Sequence, residues 1–336
     1  MRPPTRLRDE LSVTTLADRI EIIAPKYGAT IATKGYVSGV MGGSFVDKKT
    51  GARDLGFGLD IVDFLLEPVD PKAAIRNEQY DFGPGNKVHG NIPKRYVEGP
   101  QICTQAKVLK PSIVRGDKVV AIRQSHAWNV AYSARQKAGS IWEQTLIFLE
   151  GERFFLASDR VTVATASPGM TLRIDMPGHV KHDAGKGFEH VYLSYADEPF
   201  IPSTEFVADF APDERFLYTS GTSKRPARFI RAYQTDLGPA KGDGPWLAGM
   251  TLNPDDVSQA WCHQRGYVCM IQEIGGRPVK PGDTFGAAYV IGWFDDLDAM
   301  NATYDRFKGF SGFEVGGSEG YRGVKAGELT PVVSKG

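Results

Sequence analysis

The chain has 336 residues, a size at which one large all-β domain or two moderate domains can each bury a core. Its 40 Lys and Arg residues balance its 40 Asp and Glu residues, so no net charge favours nucleic acid or an anionic membrane as a partner. Three cysteines are too few for a disulfide framework, and no apolar run approaches the length of about 20 residues that a membrane span needs. We expect a soluble chain, cytoplasmic or periplasmic, without a signal peptide; the sequence leaves its oligomeric state and compartment open.

Short segments rich in Val, Ile, Phe, Tyr and Thr alternate with glycines and prolines, which is typical of strands joined by turns. Residues 67–101 interrupt them as a long polar insertion, and insertions of this length are commonly functional. A helix capped by Asp295 or Asp296 is predicted over 295–309. We predict a single all-β domain over 1–336. The predicted strands are 19–25, 118–134 (two strands), 140–164 (two strands), 171–177, 190–196, 245–253, 267–275 and 284–294.

The stretch AWCHQRGYVCMIQEIGG contains two of the three cysteines and predicts a hairpin with a two-residue turn at 265–266. In that register Cys262 lies opposite Cys269, at a distance that permits a disulfide but in a geometry that is usually strained. Packing of two reduced, buried cysteines is therefore favoured. His263 and Glu273 fall on opposite faces, so the hairpin is expected to contribute one of these two side chains to a site.

A glycine-rich stretch contains three histidines, His179, His182 and His190. Imidazoles are common zinc ligands, but no acidic residue or cysteine accompanies them at a spacing typical of a zinc site. This pattern favours hydrogen-bonded loop histidines, and His179 and His182 are weak metal candidates. No cofactor is identified from the sequence, which leaves a divalent metal ion open.

The stretch RQSHAWNVAY places Arg123, His126, Asn129 and Tyr132 within ten residues, around a predicted turn between two strands. Abstraction of a proton from a sugar needs a base, an acid and a group that neutralises the developing charge. His126 and Tyr132 are candidates for proton transfer, and Arg123 or Asn129 for neutralisation. The alternative is that the aromatic residues belong to the core and the histidine is a turn residue.

The stretch NKVHGNIPKRY, within the long insertion, contributes His89, Asn91, Lys94, Arg95 and Tyr96. Polar donors and aromatic rings on a loop suit a sugar, because hydroxyls need directional hydrogen bonds and the apolar face of the ring stacks on aromatic groups. The positive charge indicates an acidic glycan. The alternative is that the two basic residues are solvated loop charges.

Several segments resemble the galactose-mutarotase-like supersandwich proteins. RIEIIAPKYGATIATKGYVSGVMGGSFVDKKTG resembles their opening strand and the hairpin that follows it. WEQTLIFLEGERFFLASDRV and GGRPVKPGDTFGAAYVIGWF resemble their paired central strands and closing hairpin. The class includes aldose epimerases and the sheet domains of glycoside hydrolases and polysaccharide lyases. The resemblance implies a large antiparallel supersandwich with few short helices and a carbohydrate ligand, while the fold alone does not fix the chemistry.

Four functions remain for such a chain, which has no GxxxxGK[ST], strand-flanked GxGxxG or GxSxG motif. An epimerase needs a histidine facing a glutamate, for which His126 or His190 with Glu273 are candidates. A glycoside hydrolase needs two carboxylates, drawn from Glu143, Asp159, Asp175, Glu189 and Glu273. A binding protein needs only an aromatic platform, whereas a lyase combines His or Tyr with Arg or Asn in one groove.

The cationic loop and the long insertion favour a carbohydrate lyase that acts by proton abstraction and elimination on the concave face of a sheet. An acidic carbohydrate is the predicted partner. The predicted catalytic residues are His126, Tyr132, His190 and Glu273. The predicted substrate-binding residues are His89, Asn91, Arg123, Asn129, Glu143 and His263.

Overall fold

The computed structural model describes residues 10–69, 90–106, 109–212, 214–316 and 320–332. Within them lie the α-helices α1 (Ile102–Gln105) and α2 (Leu297–Phe307) and three short 3-10 segments at Ser203–Phe206, Pro254–Asp256 and Ala326–Glu328. No helix of this described part is both long and apolar enough to cross a membrane. The strands are β1 (Ser12–Thr15), β2 (Arg19–Ile23), β3 (Tyr27–Ala32), β4 (Val46–Asp47), β5 (Ile61–Pro68), β6 (Lys94–Gly99), β7 (Ser112–Arg115), β8 (Val119–Ala127), β9 (Val130–Ala131), β10 (Ile141–Leu149), β11 (Phe154–Thr162), β12 (Ser167–Lys181), β13 (Phe188–Leu193), β14 (Phe200–Pro202), β15 (Tyr218–Thr219), β16 (Phe229–Asp236), β17 (Asp243–Thr251), β18 (Val257–Gln264), β19 (Tyr267–Val279), β20 (Thr284–Phe294), β21 (Gly312–Val315) and β22 (Tyr321–Val324).

Two large antiparallel sheets form the body of the described structure. One has nine strands in the order β14-β13-β16-β17-β20-β11-β10-β8-β7, and the other has seven in the order β15-β18-β19-β12-β5-β6-β9. Apolar side chains of both sheets, among them Trp142, Phe155, Ile174 and Met270, pack into one buried cluster. This arrangement of sheets confirms the predicted fold class, an all-β antiparallel supersandwich.

The nine-stranded sheet is buried on both of its faces along β10. Alternate side chains of β10 point into the core between the sheets, including Trp142, Leu146 and Phe148. Ile147 points the other way, into a second apolar cluster on the opposite side of the sheet. Helix α2 covers this second cluster with its apolar face, whose buried residues Met300, Tyr304 and Phe307 lie about one helical turn apart. The helix lies within the predicted 295–309 and is capped by Asp296, whose side chain accepts a hydrogen bond from the Ala299 N–H at 2.8 Å.

The predicted insertion at 67–101 is partly sheet. Its first residues complete β5, and its last residues include β6, which pairs with β5 from Pro68↔Lys94 to Leu65↔Glu98. The stretch 70–89 lies outside the described residues. Residues 94–99 of the predicted loop therefore belong to the seven-stranded sheet.

The predicted register of the β18–β19 hairpin is wrong by one residue. Gln264 pairs with Val268 and His263 with Cys269, so three residues rather than two lie between the paired positions. A one-residue change of register exchanges the faces of a strand. Cys262 and Cys269 consequently point to opposite faces as free thiols, and His263 shares a face with Glu273.

Two carboxyl groups meet in the core between the sheets. Asp60 and Asp159 are both fully buried, and Gln144 Nε2 donates to Asp60 Oδ2 at 3.0 Å and to Asp159 Oδ1 at 3.3 Å. Burial raises the pKa of Asp159 to about 7, and burial together with the neighbouring carboxyl raises the pKa of Asp60 well above its usual range. We infer that the pair shares a proton at neutral pH.

This pair predicts that stability falls as pH rises. The folded pKa of Asp159 lies above the unfolded value near 3.8, so its contribution is complete below about pH 4 and is lost as pH rises through about 7. We expect Asp159→Asn to make the decline in the free energy of unfolding between pH 5 and 7 shallower, by up to about 1.4 kcal/mol per pH unit. Urea unfolding at several pH values measures the slope.

Asp305→Asn is the matched control. This exposed carboxyl is bonded to Arg228, which lowers its pKa, so its titration falls below the measured range. If the free energy of unfolding declined with pH as steeply in Asp159→Asn as in the wild type and in this control, the shared-proton interpretation would be contradicted.

Candidate functional site

Charged side chains cluster on one face of the seven-stranded sheet, the face turned away from the sandwich core. Side chains alternate between the faces of a strand. On β12, Leu172 and Ile174 enter the core, so Arg173 and Asp175 point the other way. We call this surface the polar face. Its charged and polar members, all buried, are Lys94, Arg173, Asp175, Gln259, His263 and Glu273.

The floor of the polar face is a buried ion triad centred on Glu273. Its Oε1 accepts from Arg173 Nη2 at 2.7 Å and from Arg173 Nε at 3.2 Å, and its Oε2 lies 2.9 Å from Lys94 Nζ. Burial lowers the pKa of Lys94, and the charge of Glu273 opposes that effect. Both cations also lie over Trp261, at 5.2 Å and 5.3 Å from the ring centroid. The triad therefore fixes two positive groups at the base of the site.

An imidazole and two carboxyl groups lie beside this floor. His179 Nε2 is 3.0 Å from Asp175 Oδ2. Burial lowers the pKa of His179, but the charge of Asp175, the hydrogen bond to it and the neighbouring Cys269 together outweigh burial and hold that pKa well above its usual range. Burial and the charge of Asp175 raise the pKa of Asp63 to about 6. At neutral pH the site thus holds a protonated imidazole near a carboxyl group that titrates close to neutrality.

Asp63 is oriented by two neighbours from the segment around α1. Its Oδ1 accepts from Gln101 Nε2 at 2.7 Å and from Cys103 Sγ at 3.3 Å. Asp63 lies at an irregularity of the β5–β12 pairing, between the pairs Leu172↔Leu65 and Ile174↔Val62. Bulges of this kind re-aim side chains, and Asp63 as a residue is half-buried here.

Aromatic rings lie at two edges of the polar face. On one edge His179 stacks on Tyr267 at 5.2 Å, and Phe57 lies 5.2 Å from the same tyrosine. On the other edge Tyr96 contacts Phe64 at 4.6 Å and Tyr132 at 5.6 Å, between ring centroids. Partly exposed rings beside buried charges are typical of sites that stack one face of a ligand and hydrogen-bond its edge.

The polar face includes four of the ten residues predicted to be catalytic or substrate-binding. Glu273 and His263 lie on it together, and burial lowers the pKa of His263 to about 4, so this imidazole is neutral. Tyr132 lies at its aromatic edge. Asn91 lies at its other end, where its Oδ1 accepts from Thr219 Oγ1 at 3.0 Å.

Of the six remaining predicted residues, the five that the structure describes lie elsewhere, so the predicted set does not form one site. His126, Arg123 and Glu143 are on β8 and β10 of the nine-stranded sheet, where Arg123 Nη2 is 2.8 Å from Glu143 Oε2. His190 is on β13 of that sheet. Asn129 is exposed between β8 and β9, and His89 lies outside the described residues.

The weak metal candidates have protein partners. His182 Nδ1 accepts from the Gly185 N–H at 2.6 Å, and its Nε2 lies 2.8 Å from the Gln264 side-chain amide. His179 contacts Asp175 and belongs to the polar face. Across the described ranges, no group of three His, Cys, Asp or Glu side chains is arranged to hold a metal ion.

Sequence reasoning missed Arg173 and Asp63. The segment TLRIDMP reads as a strand, and its charged residues at 173 and 175 share a face of an otherwise apolar run. Two charges at i and i+2 in such a strand are costly to bury without partners, and that cost was the available signal of a site. Asp63 had no comparable signal, because its orientation depends on a bulge.

No protein-family model matches this chain. No curated protein matches it either. Solved structures with a similar fold include galactose mutarotase-like proteins, a galactose 1-epimerase and an α-galactosidase.

A galactose mutarotase-like protein from Clostridium acetobutylicum is 10% identical, with 85% of this chain and 98% of that chain covered and a TM-score of 0.44. Galactose 1-epimerase from Lactobacillus acidophilus is 7% identical, with 86% and 99% covered and a TM-score of 0.42. A GH36 α-galactosidase from Geobacillus stearothermophilus is 10% identical, with 85% and 41% covered and a TM-score of 0.41.

Proposed function

We propose that this chain is a carbohydrate-active enzyme that interconverts the anomers of an aldose by proton transfer on the polar face. The observation that best supports this proposal is that two groups on the polar face have complementary protonation. The imidazole of His179 has a raised pKa, and the carboxyl group of Asp63 has a pKa of about 6. Both lie around Asp175, so an acid and a base are ready at neutral pH.

Opening a sugar ring requires one proton to reach the ring oxygen and another to leave the anomeric hydroxyl. We assign the first to the imidazolium of His179 and the second to the carboxylate of Asp63. The bond between the anomeric carbon and the ring oxygen breaks as the carbonyl forms, and the reverse transfers close the ring on either face. Asp175 holds the imidazolium in place and stabilises its charge.

The rest of the polar face would bind the sugar. Tyr267 and Tyr96, at opposite edges, offer partly exposed rings to the apolar face of a pyranose. Arg173 and Lys94 place positive charge under the region where negative charge develops on oxygen. Such binding groups orient the ring relative to the proton-transfer pair.

Elimination from an acidic sugar, the lyase reaction predicted from the sequence, is the second candidate. The supporting observation is that two cations, Arg173 and Lys94, both contact Glu273 and so lie close together on the polar face. Positive groups suit the carboxylate of a uronate, whose neutralisation lowers the barrier to loss of the proton at C5. Glycoside hydrolysis would instead use a pair of carboxyl groups such as Asp63 and Asp175.

The assay measures all three outcomes on the same protein. Freshly dissolved α-anomers of galactose, glucose and galacturonate are followed by polarimetry, and oligogalacturonides and neutral oligosaccharides by ultraviolet absorbance and by new reducing ends. We expect accelerated anomer equilibration of at least one aldose. New absorbance from an unsaturated uronate would assign elimination instead, and new reducing ends alone would assign hydrolysis. An absence of all three signals would contradict enzymatic action on these sugars.

A further inference from the structure

Two cavities adjoin one another at an end of the β18–β19–β20 layer. One has a volume of about 320 Å³ and lies between the β19–β20 hairpin, the 3-10 segment at Pro254–Asp256 and the segment at Ala326–Leu329. The other has a volume of about 360 Å³ and lies beside Thr219, Ser220 and Ser258. Asp255, Gly275 and Arg277 line both cavities, so together they form one groove.

Two successive glycines shape the floor of this groove. Gly275 and Gly276 have φ of +104° and +78°, a conformation that side chains disfavour. A Cβ at Gly275 would lie 2.6 Å from the Met170 carbonyl oxygen, and one at Gly276 would lie 2.4 Å from Ser258 Oγ. The backbone of β19 therefore packs against its neighbours where no side chain fits.

Polar groups of both signs are held at the junction of the cavities. Arg277 Nη2 donates to the Asp255 carbonyl oxygen at 2.9 Å, and Arg225 binds the Asp255 carboxylate at 2.6 and 3.1 Å. In the first cavity, Asp283 adds a carboxylate and Phe285 a partly exposed ring. The second is lined by hydroxyl groups. The groove thus offers acceptors, donors and one aromatic surface.

We propose that this groove is a second carbohydrate-binding site, which takes a neutral oligosaccharide with one sugar unit in each cavity. Neutral hydroxyls can both donate to carboxylates and accept from a guanidinium. Arginines compensate Asp255, and no three metal-binding side chains converge in the described chain, which argues against a cation. The carboxylates argue against an anion. Only the choice of carbohydrate as the class of ligand rests on the proposed function.

The groove ends next to the polar face. Gln259 Nε2 donates to Thr219 Oγ1 at 2.9 Å, and Lys94 Nζ donates to Gln259 Oε1 at 2.5 Å. Thr219 lines the groove, and Lys94 belongs to the ion triad. A chain bound in the groove would therefore lie beside the polar face, which suits an enzyme whose sugar is carried on a longer glycan.

Saturation-transfer NMR and calorimetry with maltose, cellobiose and lactose test the site. We expect at least one of these disaccharides to bind, and Arg277→Ala to weaken that binding by tenfold or more while anomer equilibration of a monosaccharide stays unchanged. Arg277 is exposed, so the variant should fold, as circular dichroism will verify. Arg322→Ala, which removes an exposed arginine of the β21–β22 hairpin, is the matched control and should bind as the wild type does.

His179→Asn separates the two proposals. It removes the proposed acid of the polar face and should leave disaccharide binding in the groove intact. Failure of the wild type to bind any of the disaccharides, or equal binding by the wild type and Arg277→Ala, would overturn the groove as a sugar site. Neither result bears on turnover, which the anomer assay measures independently.

Discussion

Replacing Glu273 by Gln is expected to lower the free energy of unfolding by about 3–5 kcal/mol. The carboxylate sits between Arg173 and Lys94, and all three side chains are buried, with Glu273 fully inaccessible. The neutral amide retains the shape of the side chain but removes the carboxylate that both buried cations contact. An uncompensated buried charge costs far more than a lost surface ion pair. Urea unfolding at constant pH measures the difference.

Glu205→Gln is the matched control for this experiment. Glu205 forms a comparable contact with Arg215 at 2.7 Å, but its side chain is 49% exposed. Ion pairs of that kind contribute about 0–1 kcal/mol, so the control should unfold close to the wild type. If Glu273→Gln lowered the free energy of unfolding no more than Glu205→Gln does, the triad would not be a buried electrostatic unit.

Turnover is expected to fall by about 10²–10⁴-fold in both His179→Asn and Asp63→Asn, since each removes one partner of the proposed proton transfer. Neither residue belongs to the apolar core between the sheets, so circular dichroism spectra should stay close to the wild type. His126→Asn is the matched control, because this histidine lies on β8 of the other sheet. Equal losses in His126→Asn and His179→Asn would contradict the assignment.

The pH profile of turnover provides a second test of the proposed roles of His179 and Asp63. Asp63 must be ionised to accept a proton, so activity should rise as pH increases through about 6, the pKa of that carboxyl. His179 must be protonated to donate, so activity should fall again at higher pH, as pH passes its raised pKa. Asp63→Asn should remove the rising limb from any residual activity. A wild-type profile that is flat between pH 5 and 7 would exclude Asp63 as the base.

The secondary structure was accessible from the sequence for several strands that are apolar along most of their length. The segment 284–294 was predicted as a strand and is β20, and the segment 140–164 was predicted as two strands and contains β10 and β11. Strands with polar residues on one face were harder to find. Both β5 and β6 fell outside the predicted strands, because β6 is charged and its partner precedes a polar stretch.

The candidate site was only partly accessible, because its residues are distant in sequence. Lys94, Arg173 and Glu273 meet through the pairing of β5 with β6 and β12 and of β12 with β19. Spacing along the chain carries no information about such pairings. His126 and His190 looked like site residues because each lies in a compact polar stretch of the sequence, yet both belong to the nine-stranded sheet.

The stretch AWCHQRGYVCMIQEIGG shows what the sequence determined and what the tertiary structure decided. Its apolar and β-branched residues, broken by Arg-Gly, were enough to predict two paired strands and free, buried cysteines. The tertiary structure decided the register, which puts three residues in the turn and brings His263 and Glu273 to one face. Composition and alternation report which residues prefer burial in a strand, whereas the choice of face depends on pairing with β12, and only the folded sheet sets that pairing.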